Sequence, residues 1–204
     1  MKKGKGFLWI GLLLIGAALF LVGYNITTDR RAGKASEAAL AVLKEEIPEE
    51  TEEKPQQEEY PEYLLSPEFE MPTIEIEGIR YIGELVIPAI GLDLPIQSEY
   101  DGLRLQHSPC RYTGSVYTDD MVLSAHNYSY HFGRLSELKI GDEVRFIDVD
   151  GNRFVYKVKE LETLKKEEYG YMTDGDGWDL TLFTCTLGGG ARVTVRCEKE
   201  TELH

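Results

Sequence analysis

Hydrophobic and polar positions follow three different patterns along this chain. Phe7 to Tyr24 is an uncharged, mostly apolar run of 18 residues. A membrane span needs roughly 20 apolar residues, with about 17 as the lower end. The apolar core of a cleaved signal peptide is only ~7–15 residues. The run exceeds that core, and no small-x-small cleavage pattern follows before the charged TTDRR. The pattern therefore predicts an uncleaved anchor over 7–24 behind a basic tail at 1–6. Trp9 and Tyr24 occupy the two ends, where interfacial aromatics sit. Lys2, Lys3 and Lys5 before the run face Arg30, Arg31 and Lys34 after it, so the charge count tilts only slightly toward a cytoplasmic amino terminus.

Residues 32–47, AGKASEAALAVLKEEI, place Leu40, Leu43 and Ile47 at i, i+3 and i+7. That spacing predicts a helix leaving the membrane. Residues 48–73 then set five prolines among glutamates. Such a stretch buries little and repels itself, which predicts an extended, solvated stalk over 25–73 after its helical start, holding the next domain off the membrane.

From about Ile74 the period becomes two. YIGELVIPAI alternates and stops at Pro88; LDLPIQ is a second short strand with an edge-type proline. DDMVLSAH is an apolar run ending on a histidine. DEVRFIDV and RFVYKVKEL flank DGN, a hairpin signal, and LTLFTC and ARVTVRC flank three glycines. FGRLSEL is a one-turn helical piece, and no 33- to 45-residue repeat is present. Seven or eight short strands over 74–200, followed by a short tail at 201–204, predict an all-β domain, a small closed barrel or sandwich.

Composition narrows the partners. The formal net charge is −14, but residues 45–70 carry eleven Glu and one Lys, a net of −10, which leaves −4 for everything else. The acidity thus belongs to the stalk. No basic stripe offers to neutralise phosphates, which speaks against nucleic acid as a partner. Cys110, Cys185 and Cys197 are too few for a disulfide framework and form no CxxC pair. A 110–197 disulfide and three free thiols both fit the sequence.

Candidate chemistry collects at strand ends, where a rigid sheet presents reactive groups. Cys185 is the last residue of LTLFTC, on the face of Thr181 and Phe183 and opposite that of Leu180, Leu182 and Thr184. A buried cysteine ordinarily packs inertly. Arg192, seven residues on, opens the next strand. If the two strands pair antiparallel, its guanidinium lies beside the sulfur, favouring a thiolate and offering forked donors to an oxyanion. Arg196 shares that face ~13 Å further along. Of the histidines, His204 is terminal, His107 follows a short helical piece, His131 opens one, and His126 ends the strand MVLSAH. A Cys–His pair activates a sulfur nucleophile and protonates a leaving amine. His126 and His131 lack a third metal ligand at suitable spacing, and the acidic residues show no EF-hand spacing, so neither metal nor cofactor is expected.

Taken together, MVLSAHN…FGRLSELKIGDEVRF and LTLFTCTLGGGARVTV resemble the sortases, cysteine transpeptidases of Gram-positive cell surfaces. TLFTC at 181–185 followed by Arg192 matches the family's carboxy-terminal signature, GELVIPAIGLDLPI resembles its opening strands, and Ala125-His126 departs mildly from its usual Gly-His. The resemblance covers about residues 79–198. It implies an eight-stranded sortase-type barrel with short helices. It also implies a carboxy-terminal sorting signal of the Leu-Pro-x-Thr-Gly kind as substrate. Catalytic Cys185 would attack the carbonyl of its threonine-like residue, Arg192 would steady the oxyanion, and His126 would protonate the departing amine. An amine acceptor, from a peptidoglycan precursor or another protein, would resolve the thioester. A resting thiolate–imidazolium pair is not assumed. Thr184 is expected to support substrate binding, and the loop 161–179 to line the signal groove. On this reading the enzyme is a single-pass cell-membrane protein with its catalytic domain extracellular. The lack of a carboxy-terminal span or lid motif speaks against the pilus-polymerising kind. Two alternatives keep the same residues: a surface cysteine protease that uses water, and a non-catalytic anchored barrel. Cys110 is the second candidate nucleophile.

Overall fold

The computed structural model describes residues 3–48, 70–168, 170 and 177–200. The acidic segment 49–69 and the tail 201–204 lie outside the described residues, as do most positions between 169 and 176.

Among the described residues, nine strands follow one long helix: β1 (Ile74–Ile76), β2 (Ile79–Ile87), β3 (Leu92–Gln97), β4 (Cys110–Thr113), β5 (Met121–Ala125), β6 (Glu143–Asp148), β7 (Arg153–Lys165), β8 (Leu180–Cys185) and β9 (Ala191–Lys199). Their order is β1-β2-β3-β4-β5-β8-β9-β7-β6, and β6 pairs back onto β2. Strands β2 to β9 thus close an eight-stranded barrel, and β1 is a flap hairpinned onto β2. Closure removes exposed sheet edges. At the closing seam Gly83 has φ +154°, and a Cβ there would lie 2.1 Å from the Ile147 carbonyl oxygen, so only glycine lets β2 approach β6.

The strands anticipated by the period of two are present, with LDLPIQ and LTLFTC matching β3 and β8 at both ends. β3 pairs with β4 only through Gln97 and Cys110, so most of that edge carries no ladder, and Pro95 is tolerated there. The sequence pattern predicts a loop from 161 on; β7 instead runs to Lys165, its residues from Tyr156 onward laddering with β9. The expected DGN turn wraps the buried Asp148 carboxylate, which accepts from the Asp150 and Asn152 amides and from the Tyr117 hydroxyl at 2.7 Å. Residues such as Ile82, Leu85, Leu123, Phe146, Tyr156, Leu182 and Val195 fill the barrel.

The anchor run and the helix expected after it are one element. Helix α1 (Lys3–Glu46) is unbroken over 44 residues. It is long and apolar enough to cross a membrane, and none of the described residues buries its apolar window. Its second half does not stand free. Ala32, Ser36, Ala39 and Leu43, spaced at helical repeats, are buried, with Ala39 and Leu43 packing on Tyr81 and Val149. The small side chains let the helix lie close to the barrel. At its end Lys44 reaches Glu84 at 3.2 Å and Asp93.

Burial and the neighbouring Asp93 raise the Glu84 carboxyl to about 7, against the pull of Lys44. Burial opposes charge on Lys44, but Asp93 and Glu84 outweigh it and leave that pKa raised. Glu84 therefore keeps its proton well above the ordinary carboxylate range. A carboxyl whose folded pKa lies above its unfolded one binds protons more tightly in the folded state. Its stabilising contribution is complete below the unfolded value of 4.5 and is lost as pH rises through about 7. We expect the thermal midpoint to fall between pH 5 and pH 8 more steeply in the wild type than in Glu84→Gln, measured by circular dichroism. Parallel curves would show that Glu84 titrates normally.

Candidate active site

Two ladders meet at β8. On one side β5 runs parallel to it, pairing Met121 with Leu180 through to Ala125 with Thr184. The offset is constant at 59 residues, and the ladder ends one residue before His126 and Cys185, which share that offset. On the other side β9 runs antiparallel and pairs Cys185 directly with Arg192. Alternation does the rest. Leu180, Leu182 and Ala125 belong to the barrel core. Thr184 is buried, and its hydroxyl donates to the Ala125 carbonyl oxygen at 2.8 Å. The next residue on each strand, His126 and Cys185, is partly exposed on the outer face.

The three thiols separate by burial. Cys110 and Cys197 are both 0 % exposed, and burial pushes each up to about 12. All three are free, and Cys185 alone is partly exposed. The second candidate nucleophile, Cys110, is thus sealed within the fold, where its thiol points to the Ser124 carbonyl at 3.7 Å. Arg192 folds over the glycine loop: its Nη1 donates to the carbonyls of Gly189 at 3.2 Å and Ala191 at 3.1 Å. The loop is a closed turn, with Gly189 at φ +67° and its amide donating to the Thr186 carbonyl. Arg196 is buried lower on the face and engaged with Glu162 and the Thr181 hydroxyl, each at 3.0 Å.

The floor beside Cys185 is apolar. Phe183, two residues earlier on the same face, is buried with Val122 and packs on Tyr112 edge-on at 5.6 Å, and Leu164 joins this cluster. Leu164 is also the β7 register partner of Arg192. Sequence reading missed Tyr112 and β4 altogether, because four residues with one apolar alternation carry too little period to register.

His126 is held below the ordinary imidazole pKa by burial, so its neutral form is favoured. Its ring contacts Tyr128 at 5.0 Å between centroids, and Tyr128 in turn contacts His131 at 5.5 Å. His131 is fully buried, with neither ring nitrogen hydrogen-bonded among the described residues. Burial first, and the nearby His126 second, push it down to about 4, with the His107 backbone opposing weakly. His131 is therefore a neutral packing element behind His126, which the spacing H-x-Y-x-x-H alone does not reveal.

The sequence matches the family model for the sortase domain over residues 85–200, more than half of the chain. The chain belongs to the sortase family. Its members are cysteine transpeptidases, and this sortase carries the family's closed barrel. It is similar to sortase C1 of Streptococcus agalactiae, with 26% identity and a TM-score of 0.53 over 63% of this chain and 72% of that one. Sortase C1 of Streptococcus suis is 25% identical, with a TM-score of 0.52 over 60% of this chain and 74% of that one. A Clostridium perfringens sortase C solved with the C-terminal cell wall sorting motif shares the fold at 24% identity, with a TM-score of 0.51 over 59% and 71% of the two chains. No curated protein matches the sequence.

Two outcomes test the geometry of this sortase. Thr184→Val removes the hydroxyl that ties β8 to β5, and we expect denaturant unfolding to show a loss of about 1 kcal/mol; an unchanged midpoint would mean the tie carries nothing. Burial lowers the His126 pKa, so opening one face of its ring should raise it. We expect the NMR titration midpoint of His126 to move upward in Tyr128→Ala, toward the unperturbed value of about 6.5. A midpoint that stays put would assign the shift to something other than this packing.

Proposed function

We propose that this sortase is anchored by α1 with its barrel outside the cell, and that it cleaves a carboxy-terminal sorting signal of the Leu-Pro-x-Thr-Gly kind. The observation that carries this reading is the register: Cys185, the partly exposed thiol, pairs with Arg192, and the β5–β8 ladder ends at Ala125 and Thr184, one residue before His126 and Cys185. The sorting motif bound to the related C. perfringens enzyme supports the substrate class.

In the proposed reaction the Cys185 thiolate adds to the carbonyl carbon of the signal's threonine-like residue. Arg192 turns from the Gly189 and Ala191 carbonyls to donate to the oxyanion. The C–N bond breaks as protonated His126 gives its proton to the leaving amine, which produces a thioester. An amine acceptor then attacks the thioester, its proton passes to His126, and the Cys185 sulfur departs. With the His126 pKa lowered by burial, the protonated form is the minor one near neutral pH. Thr184 acts from behind by fixing the spacing of the two strands. The Phe183–Val122–Tyr112 floor would receive the apolar side chains of the signal. The amine acceptor would come from a peptidoglycan precursor or from another protein.

The full chain in detergent, given a signal peptide with and without an added amine, tests this reading. We expect a joined peptide–amine product, none from Cys185→Ala, and a drop of about 10²–10³-fold in kcat for Arg192→Lys, which keeps the charge but loses the fork. Hydrolysis with no joined product would assign the thioester to water and make the enzyme a protease. Full turnover by Cys185→Ala would remove the proposed nucleophile.

A further inference from the structure

Residues outside the barrel hold the loop that begins at His126. The loop between β5 and the next short helical turn, residues 126–131, folds back on itself: the Phe132 amide donates to the His126 carbonyl, and the His131 and Gly133 amides donate to the Tyr128 carbonyl. Its outermost residues, Ser129 and Tyr130, turn toward α1. The Asp29 carboxylate accepts from the Ser129 amide at 2.9 Å and from the Ser129 hydroxyl. One helical turn further, Gly33 lies under the Tyr130 ring; a Cβ at that position would stand 2.7 Å from Tyr130 Cγ. Two consecutive loop residues are thus held by helix positions i and i+4, which share one face. Tyr128, immediately before them, is the ring that contacts both His126 and His131.

Asp29 lies five residues beyond the end of the apolar run at Tyr24, and α1 is continuous through both. At 1.5 Å rise per residue that separation is only ~7 Å along the axis. One continuous helix thus joins the apolar run to the residues that hold the His126 loop.

We propose that Asp29, with Gly33, is a positioning residue for His126, which makes the anchor helix part of the catalytic unit. Neither side chain takes part in bond making. They hold the loop that follows His126 and carries Tyr128 against its ring. The inference rests on the proposed role of His126 in sorting-signal cleavage.

The test uses the full chain in detergent micelles and compares wild type with Asp29→Ala, Asp29→Asn and, as a neighbouring exposed control, Arg31→Ala. A displacement near 1 Å at a reacting group costs up to about 10²-fold, so we expect Asp29→Ala to lose at least about 10-fold in kcat with KM within about 2-fold. Asp29→Asn retains an oxygen for the Ser129 amide and should recover part of that loss, while Arg31→Ala should match wild type. Hydrogen exchange should quicken at residues 127–133 in Asp29→Ala and not in β8 or β9, with the global unfolding midpoint little changed. Equal kcat and equal exchange in Asp29→Ala and wild type would overturn the proposal. A wild type that turns over no signal peptide would instead sink the sorting reading, and the exchange comparison would still decide whether Asp29 holds the loop.

Discussion

The parallel pairing of β5 with β8 is the contact on which the site depends. It joins residues 59 positions apart at a constant offset and brings the imidazole strand to the sulfur strand. Parallel neighbours cannot be joined by a tight turn and need a long crossover. Here the crossover contains β6 and β7, which also complete the barrel by pairing with β2 and β9. The segment that separates His126 from Cys185 in sequence is therefore the one that closes the wall holding them together. The Thr184 hydroxyl on the Ala125 carbonyl adds a side-chain tie at the last rung before the reactive residues.

Burial assigns roles among chemically similar groups. Three thiols have the same intrinsic reactivity, yet two lie inside and are pushed far up in pKa, while the third sits at a strand end in partial contact with solvent. Two nearby histidines divide in the same way. His131 is fully enclosed and kept neutral; His126 is half-buried and keeps access to the outer face. Burial disfavours the imidazolium, so an acid role for His126 must operate through a minor protonation state rather than a permanent ion pair.

Helix α1 adds a mechanical constraint. Small residues on one face let it lie against the barrel, Lys44 closes its far end onto Glu84 and Asp93, and Asp29 meets the loop after His126. A free stalk would let the barrel tumble relative to the anchor. A docked, continuous helix instead sets which end of the barrel lies nearer the apolar run, and the loop after His126 is at that end.

Much of this was readable from local pattern. The period of two located seven strands, the apolar run located the membrane-length helix, and TLFTC with Arg192 seven residues on anticipated the pairing of Cys185 with Arg192, because an antiparallel hairpin is built from its own turn. Short β4, with its single alternation, escaped that signal. What tertiary structure alone decided is long-range: that the strand leading to His126 runs beside β8, that Cys110 is sealed, that β7 extends to Lys165, and that the second half of α1 lies on the barrel. These depend on which surfaces the closed barrel buries and on pairings across dozens of residues. No window of neighbouring residues encodes them, because burial and parallel register are properties of the whole closed sheet.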